Sequence, residues 1–535
     1  MFKPGKKDVQ KTLFDQDQLF PEYIIKLLKE SWADDFYRLI LTQIDEERFS
    51  VLYSDKASRP NKPVNVLVSL LILKQQNLLS DEELIGSLYF DYRFQYALGL
   101  EANNDNERLC VNTLSNFRCR LVEHELQTGE NLLQQEMESL SEKMADFLSL
   151  NKSMARMDST MLDSSCKKMT RIELVYTVIR NMVRELSKVS GLVIPESFLT
   201  YLEKGHKNQT IYKTKSPEES SKLETLIEQA HELHEWAQDN SAALDTESFG
   251  HLSRLLQEQS IVSEEGVVVP IEGKKLSSRI LQNPSDPDAT FRKKGDKNHI
   301  GNSLNLVEVH DPEKEIGLIM HAELKENTYS DAQFGEDFVK DHPLSNEIDT
   351  LAVDGAYFRQ KTVKHADEKD LEINFSQMTG RSVSDDYIGV DQFEIDPKTR
   401  KITRCPQGYE PTLSIFDPVK KIYTAKFYKE HCQECPLLAH CQVKEQKKAY
   451  HVSFSENKRR TDETRAKIGT ERHQELSNFR AGVEGVPSVL KRAYQLEYLP
   501  VRGRVRSKIW IYAAIIAQNF KRCTKYLKRM ASATV

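Results

Sequence analysis

Hydrophobic and polar positions recur along the chain with two different periods, and the period separates helical segments from extended ones. Residues 1–60 look irregular, and helical spacing begins at about residue 63. An apolar run over 63–74 follows Pro63, and residues 80–83 have the Ser-Asp-Glu-Glu form of a helix N-terminal capping box. Residues 113–120 mix apolar anchors with basic side chains, which fits either a DNA-binding helix-turn-helix or an ordinary bundle helix. The pattern predicts a helical N-terminal domain.

Strand-like patterns begin at residues 154–162, where alternation puts Asp158 on one face. Further apolar β-prone runs follow a long stretch of helical spacing, and the alternation of strands with helices predicts an α/β fold. The resulting prediction has five parts, which are an N-terminal helical DNA-binding domain (1–150), a core (151–165 and 296–390), a helical insertion (166–295), a cysteine-rich β lobe (391–456), and a C-terminal part of the core with a basic tail (457–535).

Composition is that of a globular protein, with 535 residues, 39% hydrophobic and 29% charged. This length exceeds one compact core and predicts several domains. The longest apolar runs are shorter than the roughly 20 residues that span a bilayer, and the first thirty residues lack an apolar signal core. We therefore expect a cytoplasmic location and no membrane partner.

Charge is distributed unevenly around a net value of −6. Residues 217–272 contain thirteen acidic and two basic side chains, a pattern that favours solvated helix faces. Residues 491–535 contain eleven basic side chains and one acidic one. Within this tail, Arg502, Arg504 and Arg506 are predicted to contact DNA phosphates.

Two aspartates lie where ligands gather in α/β sheets. Asp354 ends a predicted buried strand and precedes Gly355, and Asp158 lies within the first predicted strand. Asp349 and Asp163 are competing candidates, but Asp349 lies at the other end of its strand. For a single aspartate at a strand end, a turn or helix cap is the alternative role.

A third carboxylate, Glu484, lies between two cations. At helical spacing Arg480, Glu484 and Lys491 share one stripe, which suits a metal ion beside a phosphate. An exposed helix with an i,i+4 ion pair is the alternative.

These segments together resemble the bacterial insertion-sequence transposases of the DDE class, in the subgroup with a cysteine-containing insertion. The similarity covers residues 60–535. Arg480, Glu484 and Lys491 match the last three residues of the family's Tyr-Arg-Glu-Lys signature. Ser477 stands where the family has the tyrosine. The remaining similar segments are Met157-Asp158-Ser159-Thr160, Val353-Asp354-Gly355-Ala356-Tyr357, Pro284-Ser285-Asp286-Pro287-Asp288-Ala289, Gln518-Asn519-Phe520-Lys521-Arg522 and the domain over 64–120.

The resemblance implies a ribonuclease H-like mixed-sheet catalytic core. Asp158, Asp354 and Glu484 would hold two Mg²⁺ or Mn²⁺ ions, and Arg480 and Lys491 would contact phosphates near the scissile bond. The implied reaction is hydrolysis at transposon ends, followed by strand transfer of the 3′ hydroxyl into target DNA. The implied partners are double-stranded DNA, as terminal inverted repeats and target, and a second copy of the chain in a homodimer on DNA, at the bacterial nucleoid. A metal-dependent nuclease without strand transfer and an inactive DNA-binding regulator with the same fold are the alternatives.

Four of the eight cysteines cluster in the β lobe, as Cys405, Cys432, Cys435 and Cys441. In a chain without an export signal, a CxxC pair beside two further cysteines favours metal binding over disulfides. Four thiolates suit a closed, structural Zn²⁺ site. Reduced buried cysteines are the alternative, with His431 and His440 as spare ligands.

Overall fold

The computed structural model describes residues 2–4, 21–54, 61–100, 109–212, 218–264, 266–378 and 386–533. Helices form most of the described N-terminal region. They are α1 (Glu22–Lys29), α2 (Trp32–Leu39), α3 (Val64–Asn77), α4 (Asp81–Phe90), α5 (Tyr92–Ala97), α6 (Val111–Thr128) and α7 (Leu132–Phe147). The helical prediction is confirmed from Val64 onward, whereas the expectation that residues 1–60 are irregular is wrong where α1 and α2 form. In the part of the chain that the structure describes, no helix is long and apolar enough to cross a membrane.

Local sequence signals account for the start of α4. The Ser80 hydroxyl accepts a hydrogen bond from the Glu83 N–H at 3.1 Å, and the Glu83 carboxylate accepts one from the Ser80 N–H at 2.8 Å. This is the predicted capping box. On the neighbouring helix α6, Arg118 donates to both oxygens of Asp81, and Lys74 also contacts this carboxylate at 2.6 Å. One of the basic side chains considered for DNA contact is therefore already paired within the bundle.

After α7 the chain forms strand β1 (Met154–Asp163) and then leaves the sheet for the helical insertion. The insertion has its own hydrophobic core, separate from that of the sheet. Ser164 donates to Asp286 at 2.5 Å, so the two ends of the insertion lie side by side. Its elements are α8 (Arg171–Leu186), α9 (Glu196–Leu199), α10 (Glu219–Gln238), α11 (Ser241–Leu244), α12 (Glu247–Gln259), β2 (Ser260–Val262) and β3 (Val268–Pro270).

The central sheet is mixed. Its other strands are β4 (Thr290–Lys294), β5 (Lys297–Asp311), β6 (Ile316–Glu326), β7 (Thr350–Val353) and β8 (Glu372–Phe375). The hydrogen-bonded order is β4–β5–β1–β7–β8, and β6 also pairs with β5. β5 runs antiparallel to β1, β4 and β6, whereas β1, β7 and β8 run parallel to one another. Helices α13 (Asp331–Asp341) and α14 (Gln360–Glu368) follow β6 and β7. The α/β prediction is confirmed.

The cysteine-rich lobe is a small β structure with a separate core. The elements of the lobe are β9 (Glu394–Ile395), β10 (Ile402–Arg404), β11 (Leu413–Asp417), β12 (Ile422–Phe427), α15 (Lys429–Gln433), β13 (Lys444–Glu445) and β14 (Tyr450–Ser455). A four-stranded sheet in the order β11–β12–β14–β13 makes up most of the lobe.

The C-terminal part is helical, with α16 (Glu456–Lys467), α17 (Glu471–Ala481), α18 (Gly485–Ala493) and α19 (Arg504–Ala533). The thirty residues of α19 pack against α3, α7 and β6. A single hydrophobic core joins the N-terminal helices, the central sheet, α18 and α19. The helices that precede the sheet and those that follow its last strand therefore stabilise the same core.

Candidate catalytic site

Asp158 lies on β1, and Asp354 directly follows the neighbouring parallel strand β7. In the register of β1 and β7, Arg156 pairs with Ala352, and two more residues along both strands bring Asp158 beside Asp354. The Asp158 side chain is 20% exposed. Burial raises its pKa, and the nearby Asp354 carboxylate acts in the same direction, while Arg480 opposes both. The sheet thus brings together two acidic side chains that are 196 residues apart in sequence.

Asp354 also forms the turn that follows β7. Its Oδ1 accepts hydrogen bonds from the Gly355 N–H at 2.7 Å and from the Ser376 hydroxyl at 3.1 Å. A Cβ atom at residue 355 would lie 2.3 Å from the backbone oxygen of Gln377, so glycine is required by this close approach. The capping role considered for Asp354 is present, and it coexists with the position beside Asp158.

Glu484 lies on a helical segment that tightens at its centre. Helix α17 ends at Ala481, a 3₁₀ turn covers Gly482–Glu484, and α18 begins at Gly485. The 3₁₀ turn precedes Pro487, which has no N–H to continue regular α-helical bonding. The Glu484 side chain is 63% exposed, and it lies on the solvent side of this segment.

Arg480 connects Glu484 to the sheet. Its Nη1 donates to Glu484 Oε1 at 2.8 Å, and its Nη2 donates to Asp158 Oδ1 at 3.3 Å. The Arg480 side chain is 13% exposed, and its Nε is buried without a hydrogen-bond partner. A cation therefore already lies between two of the three predicted carboxylates.

Two carboxylates that share a cation, with a third beside them, have the oxygen donors that Mg²⁺ and Mn²⁺ prefer. The donor set therefore fits such ions. The oxygens of Asp158, Asp354 and Glu484 do not all lie within 4.8 Å of one another, and among the described residues this spacing is found in a different group. Binding of an ion by all three would require Arg480 to leave and Glu484 to approach.

Arg156 anchors the Glu484 segment to the sheet and was not identified from the sequence. Its Nη1 donates to the Phe479 backbone oxygen at 2.9 Å, and its Nε donates to the buried Glu308 carboxylate at 2.5 Å. Arg522 of α19 donates to the other oxygen of Glu308 at 2.5 Å. Arg156 lies two residues before Asp158 on β1, so the two side chains share one face of the strand. This spacing is the sequence signal that could have placed Arg156 near the site.

Lys491 lies farther along the same helical segment but contacts neither Arg480 nor Glu484 through a hydrogen bond or ion pair in the structure as described. Burial lowers the pKa of Lys491, against the opposing charges of Glu497 and Asp163. The structure thus groups Arg480 with two of the predicted carboxylates and places Lys491 near Asp163, at the far end of β1.

Helix α19 begins within the basic tail, at Arg504. The carboxylates of Asp286 and Asp288 accept hydrogen bonds from the N–H groups of Gly503 and Arg504, each at 3.1 Å, and so cap this helix. The side chains of the three predicted arginines, Arg502, Arg504 and Arg506, form no salt bridge within the described ranges. They remain available to an external anion.

The four cysteines of the lobe, Cys405, Cys432, Cys435 and Cys441, line one cavity. All four are unbridged thiols. Burial raises the pKa of Cys432 to about 11, and the charges of the other three thiols act in the same direction because they lie close by. His431 stacks on Tyr409 with ring centroids 4.6 Å apart, and its Nδ1 is buried without a partner. The cavity is otherwise walled mainly by Phe427, Leu437, Leu438 and Val443.

Two family models match parts of this chain. A family model described as a Transposase DDE domain matches residues 404–524, which include part of the cysteine-rich lobe, Glu484 and most of α19. A second model, described as a Transposase domain (DUF772), matches residues 26–120 in the N-terminal helices. No curated protein and no solved structure matches the chain.

Both matches are to domains of transposases, enzymes that act on DNA and cleave it. Together they support the assignment of this chain to the DDE transposases of insertion sequences. Proteins with this DDE domain generally use divalent metal ions. Asp158 and Asp354 lie outside both matched ranges, so their place in the site depends on the sheet geometry described above.

Proposed function

We propose that this protein cleaves DNA at the ends of its transposon and joins the freed 3′ hydroxyl to target DNA, using Asp158, Asp354 and Glu484 as the catalytic carboxylates. The observation that supports this most directly is the placement of Asp158 beside Asp354, with Arg480 connecting Asp158 to Glu484. The strand order also supports a ribonuclease H-like core. A central strand, β1, has antiparallel neighbours on one side and parallel neighbours on the other.

Asp158, Asp354 and Glu484 would hold two Mg²⁺ or Mn²⁺ ions. Bound there, the ions would supply an activated oxygen nucleophile and neutralise charge on the leaving oxygen. Asp158 comes from the central strand, with Asp354 beside it and Arg480 joining it to Glu484. Glu484, which is exposed and on a helix, is the carboxylate with freedom to move inward.

Arg480 has two states in this proposal. In the structure it neutralises Asp158 and Glu484, which lowers the repulsion between carboxylates that face each other. When DNA binds, its guanidinium would turn to a phosphate oxygen, for which its planar donor set is suited. Arg156, bonded to the Phe479 carbonyl, would keep the helical backbone in place during this exchange.

DNA contacts beyond the scissile phosphate are proposed for Lys491, Arg502, Arg504 and Arg506. Arg502 lies just before the start of α19, and Arg504 and Arg506 lie in its first turn. None of the three has a salt bridge in the described structure, and each phosphate that they neutralise would add salt-dependent affinity. The homodimer on paired transposon ends and the division into five domains stay predictions.

The lobe cysteines Cys405, Cys432, Cys435 and Cys441 are proposed to bind one structural Zn²⁺. Their convergence in one cavity supports this, as does the absence of a disulfide among the described cysteines. Bound zinc would require the thiolate forms, which the buried apolar cavity disfavours without a metal.

The experiment is cleavage of DNA that contains the gene with its native flanks, in Mg²⁺, by wild type, Asp354→Asn and Asp349→Asn. Asp349 is a matched control because it is exposed and lies just before the same strand, at its other end. We expect wild type and Asp349→Asn to cut at the transposon ends and leave 3′ hydroxyls, and Asp354→Asn to bind the ends without cutting.

The products separate the alternatives. Covalent joining of a cut end to new DNA supports strand transfer, and cleavage alone favours a nuclease. Binding without cleavage by wild type, with Mn²⁺ also tried, would favour an inactive DNA-binding regulator and would overturn the catalytic assignment. Equal activity of Asp354→Asn and wild type would remove Asp354 from the site.

A further inference from the structure

A second group of ligand-type side chains lies away from the candidate catalytic site. It consists of Glu138 on α7, His321 on β6 and His342, which directly follows α13. One ligand atom from each residue lies within 4.8 Å of the other two. His321 is buried at 8% exposure, and the other two side chains are 29% and 20% exposed. Three separate elements of the fold therefore bring two imidazoles and a carboxylate close together.

The distances within this group bracket those of a zinc site. Glu138 Oε1 lies 2.6 Å from His321 Nδ1 and 3.7 Å from His342 Nε2. Ligand atoms held at about 2.1 Å from one zinc ion in tetrahedral geometry lie about 3.4 Å apart. The two separations from Glu138 Oε1 therefore differ by less than about 1 Å from those of a zinc coordination sphere.

His342 is held less tightly to Glu138 than His321 is. Its Nε2 faces Glu138 at a distance too long for a hydrogen bond, and no shorter contact engages this atom in the described structure. The His321 and His342 rings lie 4.1 Å apart, so both imidazoles border the same small space beside Glu138. A divalent ion between these groups would accept lone pairs from two neutral imidazoles and from the carboxylate.

An aromatic side chain packs against both imidazoles. Phe338, which is buried, stacks on His342 with ring centroids 5.3 Å apart and also packs against His321. Two imidazole nitrogens and one carboxylate oxygen are donors that Zn²⁺ accepts, and Mg²⁺ prefers oxygen donors. The group therefore differs in metal preference from the three carboxylates of the candidate catalytic site.

We propose that Glu138, His321 and His342 bind one Zn²⁺ ion that ties α7 and the segment after α13 to the central sheet. Water would complete the four-coordinate sphere. The Leu344 N–H donates to His342 Nδ1 at 3.2 Å, and this bond is lost when Nε2 binds the metal and the ring proton moves to Nδ1. Zinc binding therefore frees the Leu344 amide while it fixes the His342 ring.

The test is zinc content per chain after chelator treatment of the full-length protein and dialysis against Zn²⁺ with excess Mg²⁺. Cys432→Ser plus Cys435→Ser serves as the background, so that the lobe cysteines do not contribute. In this background we expect one zinc per chain, and dissociation constants weaker by about 100-fold for Glu138→Gln and for His342→Gln. Glu142→Gln, one turn farther along α7, is the matched control and should bind zinc as the background does.

Amide hydrogen exchange gives a second readout, which does not depend on activity. The Leu344 amide should exchange faster when zinc is bound, while α7 exchanges more slowly. Equal zinc binding by the background protein and Glu138→Gln would overturn the proposal. Absence of zinc binding by a background protein that remains folded, judged by its circular dichroism, would also overturn it and would define the group as a hydrogen-bonded cluster only.

Discussion

Replacement of Gly482 by alanine is expected to separate Arg156 from the helical segment that carries Glu484. A Cβ atom at residue 482 would lie 2.0 Å from Arg156 Nη1 and 2.9 Å from its Cζ. The end of an arginine side chain can usually move away. Here it is held by Glu308 and by the Phe479 carbonyl, so any movement breaks at least one of these bonds.

The magnitude follows from two opposing effects. Gly482 has helical backbone angles, with φ −62° and ψ −21°, so alanine by itself would stabilise the helix by about 1 kcal/mol. Loss of the charged hydrogen bonds of Arg156 costs about 2–4 kcal/mol, and Glu308 keeps its bond to Arg522. The expected net effect is a decrease of about 1–3 kcal/mol in the free energy of unfolding.

Gly485→Ala is a matched control on the other side of Glu484. Gly485 is also helical, with φ −67° and ψ −27°, and a Cβ atom there would meet no atom within 4 Å. This substitution should therefore stabilise the protein by about 1 kcal/mol. The two alanine variants should differ by about 2–4 kcal/mol, which urea denaturation measures.

Arg156→Gln completes a double-mutant cycle. In that background Gly482→Ala should no longer destabilise, because the clashing guanidinium is absent. Hydrogen exchange over α17 and α18 would show whether the loss is local to the Glu484 segment. Equal unfolding free energies for Gly482→Ala and Gly485→Ala would refute this account of Arg156.

Two further predictions concern stability. The hydrogen bond from Arg118 lowers the pKa of Asp81 from 3.8 to about 2, so the paired carboxylate contributes stability that is fully present above pH 4 and is lost as the pH falls toward 2. In urea denaturation at pH 6, the free energy of unfolding of wild type should exceed that of Asp81→Asn by about 2 kcal/mol. This difference should narrow from pH 4 to pH 3, and a difference that stays constant would contradict the stabilising role of the Arg118–Asp81 pair. Asp286→Ala removes the acceptor of the Gly503 N–H and of the Ser164 hydroxyl. It should lower the free energy of unfolding by about 1–2 kcal/mol in the same assay. An unchanged urea midpoint would contradict the capping role of Asp286.

Local signals predicted the elements well because their causes are local. The capping box at Ser80 needs only residues within one turn, and the strand beginning at Met154 follows from alternation along ten residues. Asp158 and Asp354 were selected as candidates because each lies on or ends an apolar strand. That selection required no knowledge of the sheet.

The arrangement between segments was not predictable in this way. The sequence does not indicate that β1 pairs with β7, which places Asp158 beside Asp354. The role of Gly482 depends on an arginine more than 300 residues earlier. Glu138 and His342 were missed for the same reason, since each is an ordinary helix or loop residue until the fold brings them together. Contacts between remote segments arise from tertiary packing, which periodicity does not encode.

The closed ends of the two insertions make this architecture modular. The helical insertion leaves and returns at Ser164 and Asp286, which bond to each other, and it keeps a hydrophobic core of its own. The cysteine-rich lobe returns to the main body at α16, where Asp462 accepts hydrogen bonds from Tyr387 and from the Val390 N–H. Insertions whose ends meet can be lengthened, exchanged or removed without disturbing the core that carries them. Related chains of very different length are therefore expected to share the same central sheet and differ mainly in these two branches.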